Sequence, residues 1–495
     1  MILILVAAVA IGTRGLSERV RAEIIKSLEK DFESRLEIKT LDVSLFPSVN
    51  VTGTGLVLHH KGRTDIPPLI VIDRFTAQTS LLSLIRIPAH VSEVRLEGLQ
   101  VHVQAEAEKG AADGTKPPKA PSNFVIDRVI ADGARVETIP SKPGKEPLVW
   151  RISKLTLSGA GPDRAMSFRA TLTNARPPGG IETTGSFGPW QADEPSETPV
   201  SGKYTFRNAN LGVFHGISGT LASVGDYTGV LQQIEVKGNT DTPDFALTIA
   251  GNRVSLKTEF HAIVDGTNGT TKLDPVIAHF GRTTVTARGI VDTTPGQPGK
   301  IISLDSRVQH GRLEDMLRLA VKGPPPMTGA IAYHAKFVLP LMNEDVSKAL
   351  RLDGAFDVEA AQFTKPDAQQ KVDKLSNRGR GQTDDAADDV VASNFRGKFA
   401  LRDGVMHFTD LAFTVPGVAV QLSGDYTLDD GRMDLHGMAR LQAKLSQTTT
   451  GFKSFLLKAV DPFFSKKGKG AVLPIHISGT RDSPSFGLDL GHKAK

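Results

Sequence analysis

Apolar and polar residues alternate with a period of two along most of the chain. In one segment Val254, Leu256 and Phe260 share one parity, whereas Lys257 and Glu259 occupy the other. Strict alternation of this length is typical of a β-strand with one dry face and one wet face. Because such segments recur through most of the chain, the sequence predicts an all-β-dominated protein built from antiparallel strands.

Turn-forming residues separate the alternating segments at hairpin-like spacing. The sequence DGTNG fills 265–269, and LDDGR fills 428–432. Short segments also resemble one another, such as VSGKYTF at 200–206 and LSGDYTL at 422–428. These echoes are too short to establish a repeat, but they fit a meander whose strands begin in the same way.

Helical periodicity interrupts the strands in a few places. A helical turn or a crossover is predicted at 80–85, and an amphipathic helix is predicted at 313–320. A weak polar helix is predicted at 366–376, followed by a polar loop over 377–389 whose composition is typical of disorder. Two further apolar stripes predict an N-terminal helix with Leu16, Val20, Ile24, Leu28 and Phe32, and a C-terminal helix with Phe452, Phe455, Leu456 and Ala459.

The chain begins with an uncharged apolar run over residues 1–11. A helix that spans a membrane needs about 20 apolar residues, so this run is too short by itself. It also lacks a basic n-region and a small-residue cleavage site. Two interpretations remain, a transmembrane helix whose first half lies upstream of Met1, and a short signal-like segment. The first is favoured because a helix continues past the run.

Composition narrows the classes of function. The 495 residues contain no cysteine, which excludes disulfides, thiol nucleophiles and zinc–thiolate sites. The net charge of +5 is spread along the chain without a dense arginine patch, which argues against nucleic acid as a partner. There are 23 Phe against 4 Tyr and 2 Trp. Carbohydrate sites favour Trp and Tyr, so this balance suits an apolar ligand or a plain core.

The sequence shows no enzyme motif, whether a nucleophile elbow, a P-loop, an HExxH helix or a dinucleotide fingerprint. The protein is therefore predicted not to be an enzyme and to need no cofactor. His261, His407, His436 and His476 fall on the polar parity of strands and are predicted to be solvated, with no metal site. The acidic run at 384–389 lacks the ligand spacing of a calcium loop and is predicted to be solvated.

An apolar sheet face must be covered, and the chain offers few amphipathic helices for that purpose. Two architectures satisfy the alternation. In one, the sheet folds on itself as sandwiches that seal the apolar face. In the other, the face curls into an open trough that holds an apolar ligand. Periodicity alone does not separate them.

Three parts of the chain resemble AsmA-like proteins of diderm bacteria, relatives of TamB and of chorein-type bridge lipid-transfer proteins. The N-terminal likeness lies in LFPSVNVTGTGLVL (45–58), VIDRFTAQTSLLSLI (71–85) and VRLEGLQVHV (94–103), and the central likeness in 238–276. The most specific likeness lies in FTVPGVAVQLSGDYTLDDGRMDLHGMARL (413–441), SQTTTGFKSFLLKAVDPFF (446–464) and LPIHISGTRDSPSFGLDL (473–490).

The resemblance implies an elongated, twisted antiparallel sheet that forms an open apolar groove. It further implies a single N-terminal span in the bacterial inner membrane and a body in the periplasm. Such a protein carries phospholipid between inner and outer membranes, with a possible outer-membrane or periplasmic protein partner. The alternative function is a structural or chaperone-like assembly factor for outer-membrane proteins without a lipid path; a glycan-binding protein and a hydrolase are weaker alternatives.

The resemblance assigns the apolar parity to the lining of the groove and carries over no catalytic residue. The C-terminal stripe around Phe452 is predicted as a helix that contacts membrane or closes the groove. The predicted lining residues are Phe245, Leu247, Ile249, Val254, Leu256, Phe260, Val264, Phe337, Phe399, Leu401, Val418, Val420, Leu422, Met433, Leu435, Ile475, Ile477, Phe486 and Leu488.

The predicted domain organisation follows the same assignment. A flexible linker or long loop is predicted over 105–122, where Ala, Lys, Pro and Gly dominate. The predicted segments, in chain order, are a truncated transmembrane anchor at 1–15, an N-terminal helix with a chorein-like β module at 16–104, the linker, a β-groove body at 123–440, and a C-terminal helix with closing strands at 441–495.

Overall fold

The protein is mostly β-structure, which confirms the predicted fold class at that level. In the described residues, 27 strands form one large mixed sheet. The chain divides into two compact units, the first made of 1–213, 220–240 and 261–270, and the second of 214–219, 241–260 and 271–495. The computed structural model describes residues 36–44, 48–59, 67–84, 89–104, 124–139, 147–161, 164–189, 191, 195–214, 216–248, 250–266, 268–293, 300–340, 346–382, 390–442, 471–481 and 483–489.

The strands of the first unit are β1 Leu36–Glu37, β2 Thr40–Ser44, β3 Val49–Leu58, β4 Ile70–Thr79, β5 Ala89–Glu97, β6 Gln100–Gln104, β7 Phe124–Ile130, β8 Ala134–Ile139, β9 Val149–Ala160, β10 Met166–Thr173, β11 Gly180–Phe187, β12 Pro199–Asn210 and β14 Thr220–Val230. Strands β15 Gln233–Leu247 and β16 Val254–Val264 contribute residues to both units.

The strands of the second unit, besides its parts of β15 and β16, are β13 Ile217–Ser218, β17 Thr271–Phe280, β18 Thr283–Thr293, β19 Lys300–Arg312, β20 Met327–Pro340, β21 Arg351–Phe363, β22 Ser393–Arg402, β23 Val405–Val415, β24 Val418–Thr427, β25 Arg432–Leu441, β26 Ala471–Thr480 and β27 Ser483–Leu488. Helices lie at Leu81–Leu84, Leu313–Ala320, Val346–Ala349 and Pro366–Arg380, and short 3₁₀ turns at Pro195–Glu197 and Leu211–Val213.

The prediction of a purely antiparallel sheet is wrong in the first unit. β5 and β6 both pair with β4 in the antiparallel sense, but β7 runs parallel to β5 and β8 runs parallel to β6. A parallel pair needs a connection of a dozen or more residues between its strands. The chain over 105–123 supplies that length between β6 and β7.

The first unit contains a closed hydrophobic core. Ile72 is 0% exposed, and Leu56, which lies opposite it across β3 and β4, is 1% exposed. Ile126 and Val129 of β7 belong to the same cluster, as does Ala160 at the end of β9. Strands that precede residues 105–123 in the sequence therefore share one core with strands β7 and β9, which follow them.

Consecutive antiparallel strands make up most of the second unit. From β17 to β27 each strand pairs with the next one along the chain. The hairpin predicted at 428–432 is confirmed, because Tyr426 of β24 lies opposite Met433 of β25. This meander keeps one side-chain parity on the same face from strand to strand, as direct cross-strand neighbours share a face.

The predicted helix at 313–320 is confirmed as Leu313–Ala320. It buries Leu313 against Val358 and Ala361 on the apolar face of the second unit. The buried Asp315 carboxylate fixes the helix, because it accepts hydrogen bonds from the Arg282 backbone N–H at 2.7 Å and the Thr283 hydroxyl at 3.0 Å. These two bonds join the helix to the turn between β17 and β18.

The polar helix predicted at 366–376 forms, but it continues to Arg380 and ends at Gly381, whose φ is +75°. The prediction of a loop from residue 377 onward is therefore wrong for its first four residues. Asn377 and Gly379 are buried rather than solvated, and a Cβ on Gly379 would collide with Val418 and Gly417. Tight packing against the β23–β24 turn stabilises the extra helical turn, which polarity alone does not reveal.

Several predictions lie outside the described residues. These are the apolar run at 1–11, the N-terminal helix, the acidic run at 384–389 and the C-terminal stripe with Phe452, Phe455, Leu456 and Ala459. Among the described residues, no helix has the length and apolar character needed to cross a membrane. The predicted helical turn at 80–85 is confirmed as Leu81–Leu84.

Candidate functional site

The register of the second unit collects most of the predicted lining residues on one face. One cross-strand row runs from Phe337 through Leu352, Leu401 and Met406 to Tyr426, each residue lying opposite the next. By the same register, the residues on this apolar face are Phe337, Phe399, Leu401, Val418, Val420, Leu422, Met433, Leu435, Ile475, Ile477, Phe486 and Leu488.

Part of this face is sealed by the chain itself. Val418, Val420, Leu422 and Leu435 are buried, and Val372 and Leu375 of the Pro366–Arg380 helix pack against their cluster. Leu401 is also buried, with 1% of its surface exposed. Val418, Val420, Leu422 and Leu435 therefore belong to a core between helix and sheet. Phe337, Phe399, Met433, Ile475, Ile477 and Leu488 are partly buried and keep accessible surface.

Strand β16 shows the alternation that motivated the prediction. In the second unit, Val254, Leu256 and Phe260 are partly buried, whereas Lys257 and Glu259 are exposed. The apolar side chains of β16 are thus neither sealed nor fully solvated. Across the described part of this strand, one face offers apolar surface and the other offers charge.

The remaining predicted positions near β16 have different surroundings. Val264, in the first unit, is partly buried and continues the apolar parity of its strand. Phe245 and Leu247 are partly buried at the end of β15, on the odd positions that upstream carry the exposed Lys237 and Asp241. Ile249 lies outside the described residues.

The first unit carries a second apolar face that the predicted residue set missed. On β9–β14 the register aligns Leu157 with Phe168, and Ile181 with Phe206. These side chains are all partly buried, and Leu157 also packs against the sealed core around Ile72. The same period-two alternation marks them in the sequence, so the signal was present but not extended to this region.

Aromatic rings lie over glycines on this face. Tyr204 of β12 lies opposite Gly225 of β14, and Gly202 lies opposite Tyr227. A Cβ on Gly225 would come within 2.8 Å of the Tyr204 ring, so only glycine at position 225 leaves room for that ring. The sequence signal is the Gly-x-Tyr triplet in both strands, GKY at 202–204 and GDY at 225–227.

The tyrosine hydroxyls on this face already have partners. The Tyr204 hydroxyl lies 3.0 Å from the Ser223 hydroxyl, and the Tyr227 hydroxyl lies 2.8 Å from that of Thr183. Burial raises the pKa of both tyrosines. The polar ends of the rings are therefore satisfied within the sheet, and the rings present apolar surface.

The same arrangement recurs in the second unit. Phe399 of β22 lies opposite Gly354 of β21, and Phe356 lies opposite Gly397. The two rings lie 6.2 Å apart between centroids. Each glycine allows a ring from the neighbouring strand to lie across its backbone, which widens the apolar surface without adding side-chain bulk.

The opposite face carries histidine–carboxylate pairs between strands. In the first unit His261 lies 2.9 Å from Glu235. In the second unit His334 lies 2.8 Å from Asp305, and His407 lies 2.6 Å from Asp425. The four histidines predicted to be solvated do not form one cluster, but two of them meet, because His436 of β25 lies directly opposite His476 of β26.

His436 has a hydrogen-bonding partner on each ring nitrogen. Its Nδ1 lies 2.7 Å from Asp489 Oδ2, and its Nε2 lies 3.0 Å from Asp434 Oδ1. The hydrogen bond to Asp489, together with the charge of Asp434, raises the pKa of His436. The folded protein therefore favours the protonated imidazole. This contribution to stability is present below about pH 6.5 and is lost as the pH rises through the raised pKa.

The variant Asp489→Asn tests this electrostatic arrangement. It removes the carboxylate that contributes most to the shift, so we expect the pKa of His436 to fall towards its ordinary value. The measurement is an NMR titration of the His436 ring protons in the wild-type chain and the variant. His334→Gln serves as the assignment control, because it identifies the signals of a ring that pairs with Asp305 elsewhere and so separates them from the signals of His436. An unchanged His436 titration would contradict the expectation.

A shallow cavity of about 730 Å³ lies in the second unit. Its lining includes Arg307, His334, Asp357, Arg396 and Lys398, which share the polar parity of β19–β22. Local concavity at this point therefore belongs mainly to the charged face. This cavity therefore does not correspond to the predicted apolar groove.

No protein-family model matches this chain, and no curated protein or solved structure matches it. The resemblance to AsmA-like proteins therefore stays a prediction. In each unit, partly buried apolar side chains lie on one face of the strands and exposed charged side chains lie on the other.

Proposed function

We propose that this protein binds phospholipid by its acyl chains along the accessible apolar strand faces and carries it between the inner and outer membranes of a bacterial envelope. The observation that supports the proposal most is the partial burial of Val254, Leu256 and Phe260 on one face of β16, with exposed charge on the other. In this proposal the N-terminus anchors the chain in the inner membrane, and the body lies in the periplasm.

The physical basis is the cost of leaving apolar surface in water. A sealed core such as that around Ile72 leaves nothing for a ligand to cover. The partly buried faces differ, because each methylene of an acyl chain that covers them gains about 0.8 kcal/mol. An acyl chain can therefore be held without specific polar contacts, which suits a face whose tyrosine hydroxyls are bonded within the sheet.

The proposed activity is binding and transfer rather than catalysis. The side chains on the accessible parts of the faces are mainly Phe, Leu, Ile and Val, which provide contact area and no nucleophile or general base. Transfer along such a surface needs weak, repeated apolar contacts rather than one tight site. Rows of partly buried residues on successive strands provide contacts of that kind.

The experiment is mass spectrometry of lipid that co-purifies with the chain after detergent removal. We expect phospholipid in an amount comparable to that of the protein. A chain of the same preparation that has been unfolded, delipidated and refolded serves as the control and is expected to regain lipid from added vesicles. Phospholipid no more abundant than in a buffer blank, before and after exposure to vesicles, would overturn the proposal.

The second candidate function is a structural or assembly factor for outer-membrane proteins that carries no lipid. The observation in its favour is the sealed cluster in the second unit, where the Pro366–Arg380 helix covers Val418, Val420 and Leu422. If the accessible faces were similarly covered by a protein partner, no lipid would bind. The lipid measurement separates the two candidates, because only the first expects bound phospholipid.

A further inference from the structure

Two histidines and one aspartate converge on the polar face of the second unit, away from the apolar surface. His436 and His476 lie directly opposite each other on β25 and β26, and their rings stack with centroids 4.1 Å apart and planes 8° apart. The Nε2 atoms of both rings point to Asp434 Oδ1, at 3.0 Å from His436 and 2.6 Å from His476. Three ligand atoms thus lie within 4.8 Å of one another.

The second ring nitrogen of His436 is held by a carboxylate from a different part of the chain. Asp489, which follows β27, places Oδ2 at 2.7 Å from His436 Nδ1, and only 11% of the Asp489 side chain is exposed. In metal sites, a histidine ligand typically donates its other ring N–H to such a carboxylate, which fixes the tautomer. With Nδ1–H donated to Asp489, the nitrogen of His436 that faces the cluster is Nε2. A bound ion would replace the proton that Nε2 shares with Asp434.

The charges around the cluster also favour a cation. Asp434 of β25 lies directly opposite Asp425 of β24, and like charges opposite each other destabilise a strand pair. His407 bonds to Asp425, and Arg432 bonds to Asp430 rather than to Asp434. Within the described residues, the Asp434 carboxylate contacts the two imidazoles and no lysine or arginine side chain.

We propose that Asp434, His436 and His476 bind a divalent transition-metal ion of the zinc class, and that Asp489 is the positioning residue that orients His436. Two imidazole nitrogens and one carboxylate oxygen match the mixed donors that zinc accepts, with a fourth position left for water. Magnesium and calcium prefer oxygen ligands alone, so the site discriminates against them.

The side chains must turn to admit the ion, because the Nε2 lone pairs of two rings whose planes lie 8° apart do not converge on one point. Bonds of about 2.0–2.2 Å in a tetrahedral site separate the ligand atoms by about 3.4 Å, against the 2.6–3.0 Å of the present hydrogen bonds. Rotation of the Asp434 side chain, which is 68% exposed, and of the two rings, which are each 33% exposed, can supply the difference. The bound ion would join β25 to β26, and through Asp489 to the segment after β27.

The test is calorimetric titration of the chelator-treated full chain with zinc chloride alone at pH 7.5. We expect one ion per chain at this site, and we expect His476→Ala to lower its affinity by at least about tenfold, as loss of one ligand does. Asp489→Asn should weaken binding by about 10–100-fold while leaving the ligands in place. Magnesium chloride should give no binding in the same concentration range.

His334→Ala is the matched control, since it removes a histidine–aspartate pair on the same face of the second unit without touching the cluster. Its zinc affinity should equal that of the wild-type chain. At the same zinc concentration, the thermal unfolding midpoint should rise by the same amount in the wild-type chain and His334→Ala, and by less in His476→Ala. Circular dichroism checks that each variant folds; if His476→Ala does not, His436→Gln replaces it.

Two results of the titration would overturn the proposal of a zinc site. If His476→Ala and His436→Gln bind zinc as the wild-type chain does, any binding comes from other residues. If the wild-type chain binds none, the cluster is a hydrogen-bonded histidine–carboxylate network only. Either result leaves the lipid proposal unaffected, because that proposal concerns the opposite face of the sheet.

Discussion

Replacing Leu256 with aspartate is expected to remove most lipid binding while the protein stays folded. The side chain lies on the accessible apolar face of β16 and is only partly buried, so the new carboxylate can reach water. A charge placed where acyl chains lie must be desolvated when lipid binds, at a cost of several kcal/mol. A loss of about tenfold or more in retained lipid follows, since about 1.4 kcal/mol equals tenfold.

The measurement pairs thermal unfolding with retention of a photo-crosslinkable phospholipid on the purified chain. Lys257→Asp is the control, because Lys257 is exposed on the opposite face of the same strand. Its lipid retention should match the wild-type value. A folded Leu256→Asp chain with undiminished lipid would show that this face does not carry it. An unfolded chain would instead show that the face is a sealed core.

Replacing Ile72 with aspartate is expected to unfold the N-terminal part of the first unit. Ile72 is 0% exposed in the closed core and lies opposite Leu56 across β3 and β4. A buried, unpaired charge costs several kcal/mol, which removes much of the about 5–15 kcal/mol by which a domain is typically stable. Limited proteolysis should then cleave within 36–160, and the thermal transition should broaden or shift downwards.

Ile72→Val is the matched control for that variant. It removes one methylene from the same position and should cost about 0.5–1.5 kcal/mol, which leaves the core folded. The contrast between the two variants isolates the effect of charge from the effect of volume. Equal protease resistance of Ile72→Asp and the wild-type chain would show that the core around Ile72 is open to water.

The strand pattern of this protein was predictable because each strand has one wet face. On β16 the alternation of Leu256 and Lys257 directly marks the two faces. The parallel pairing of β5 with β7 was not predictable, because parity in one strand carries no information about the direction of its neighbour. The extension of the Pro366–Arg380 helix was missed for a related reason, since the buried Asn377 and Gly379 are polar or small in sequence.

For the candidate site, the sequence predicted which residues share one face of the sheet, but not which of them are covered. Parity placed Val420 and Phe399 on the same side of the sheet, but it could not tell that a helix covers Val420 and leaves Phe399 partly accessible. The meeting of His436 with His476 depends on the register of β25 against β26, across a long separation in sequence. Periodicity fixes which residues share a side, and tertiary packing decides what lies over them.

The pairing of aromatic rings with glycines has a consequence for how such a sequence can vary. The Phe356 ring fills the space that a side chain at position 397 would need, because a Cβ on Gly397 would come within 2.8 Å of that ring. A larger residue at 397 is therefore compatible only with a smaller one at 356, and the two positions must change together. Relatives of this chain should show covariation at each such pair, including exchanged pairs with glycine at 356 and a ring at 397. Those coupled columns would reveal the strand register from an alignment alone.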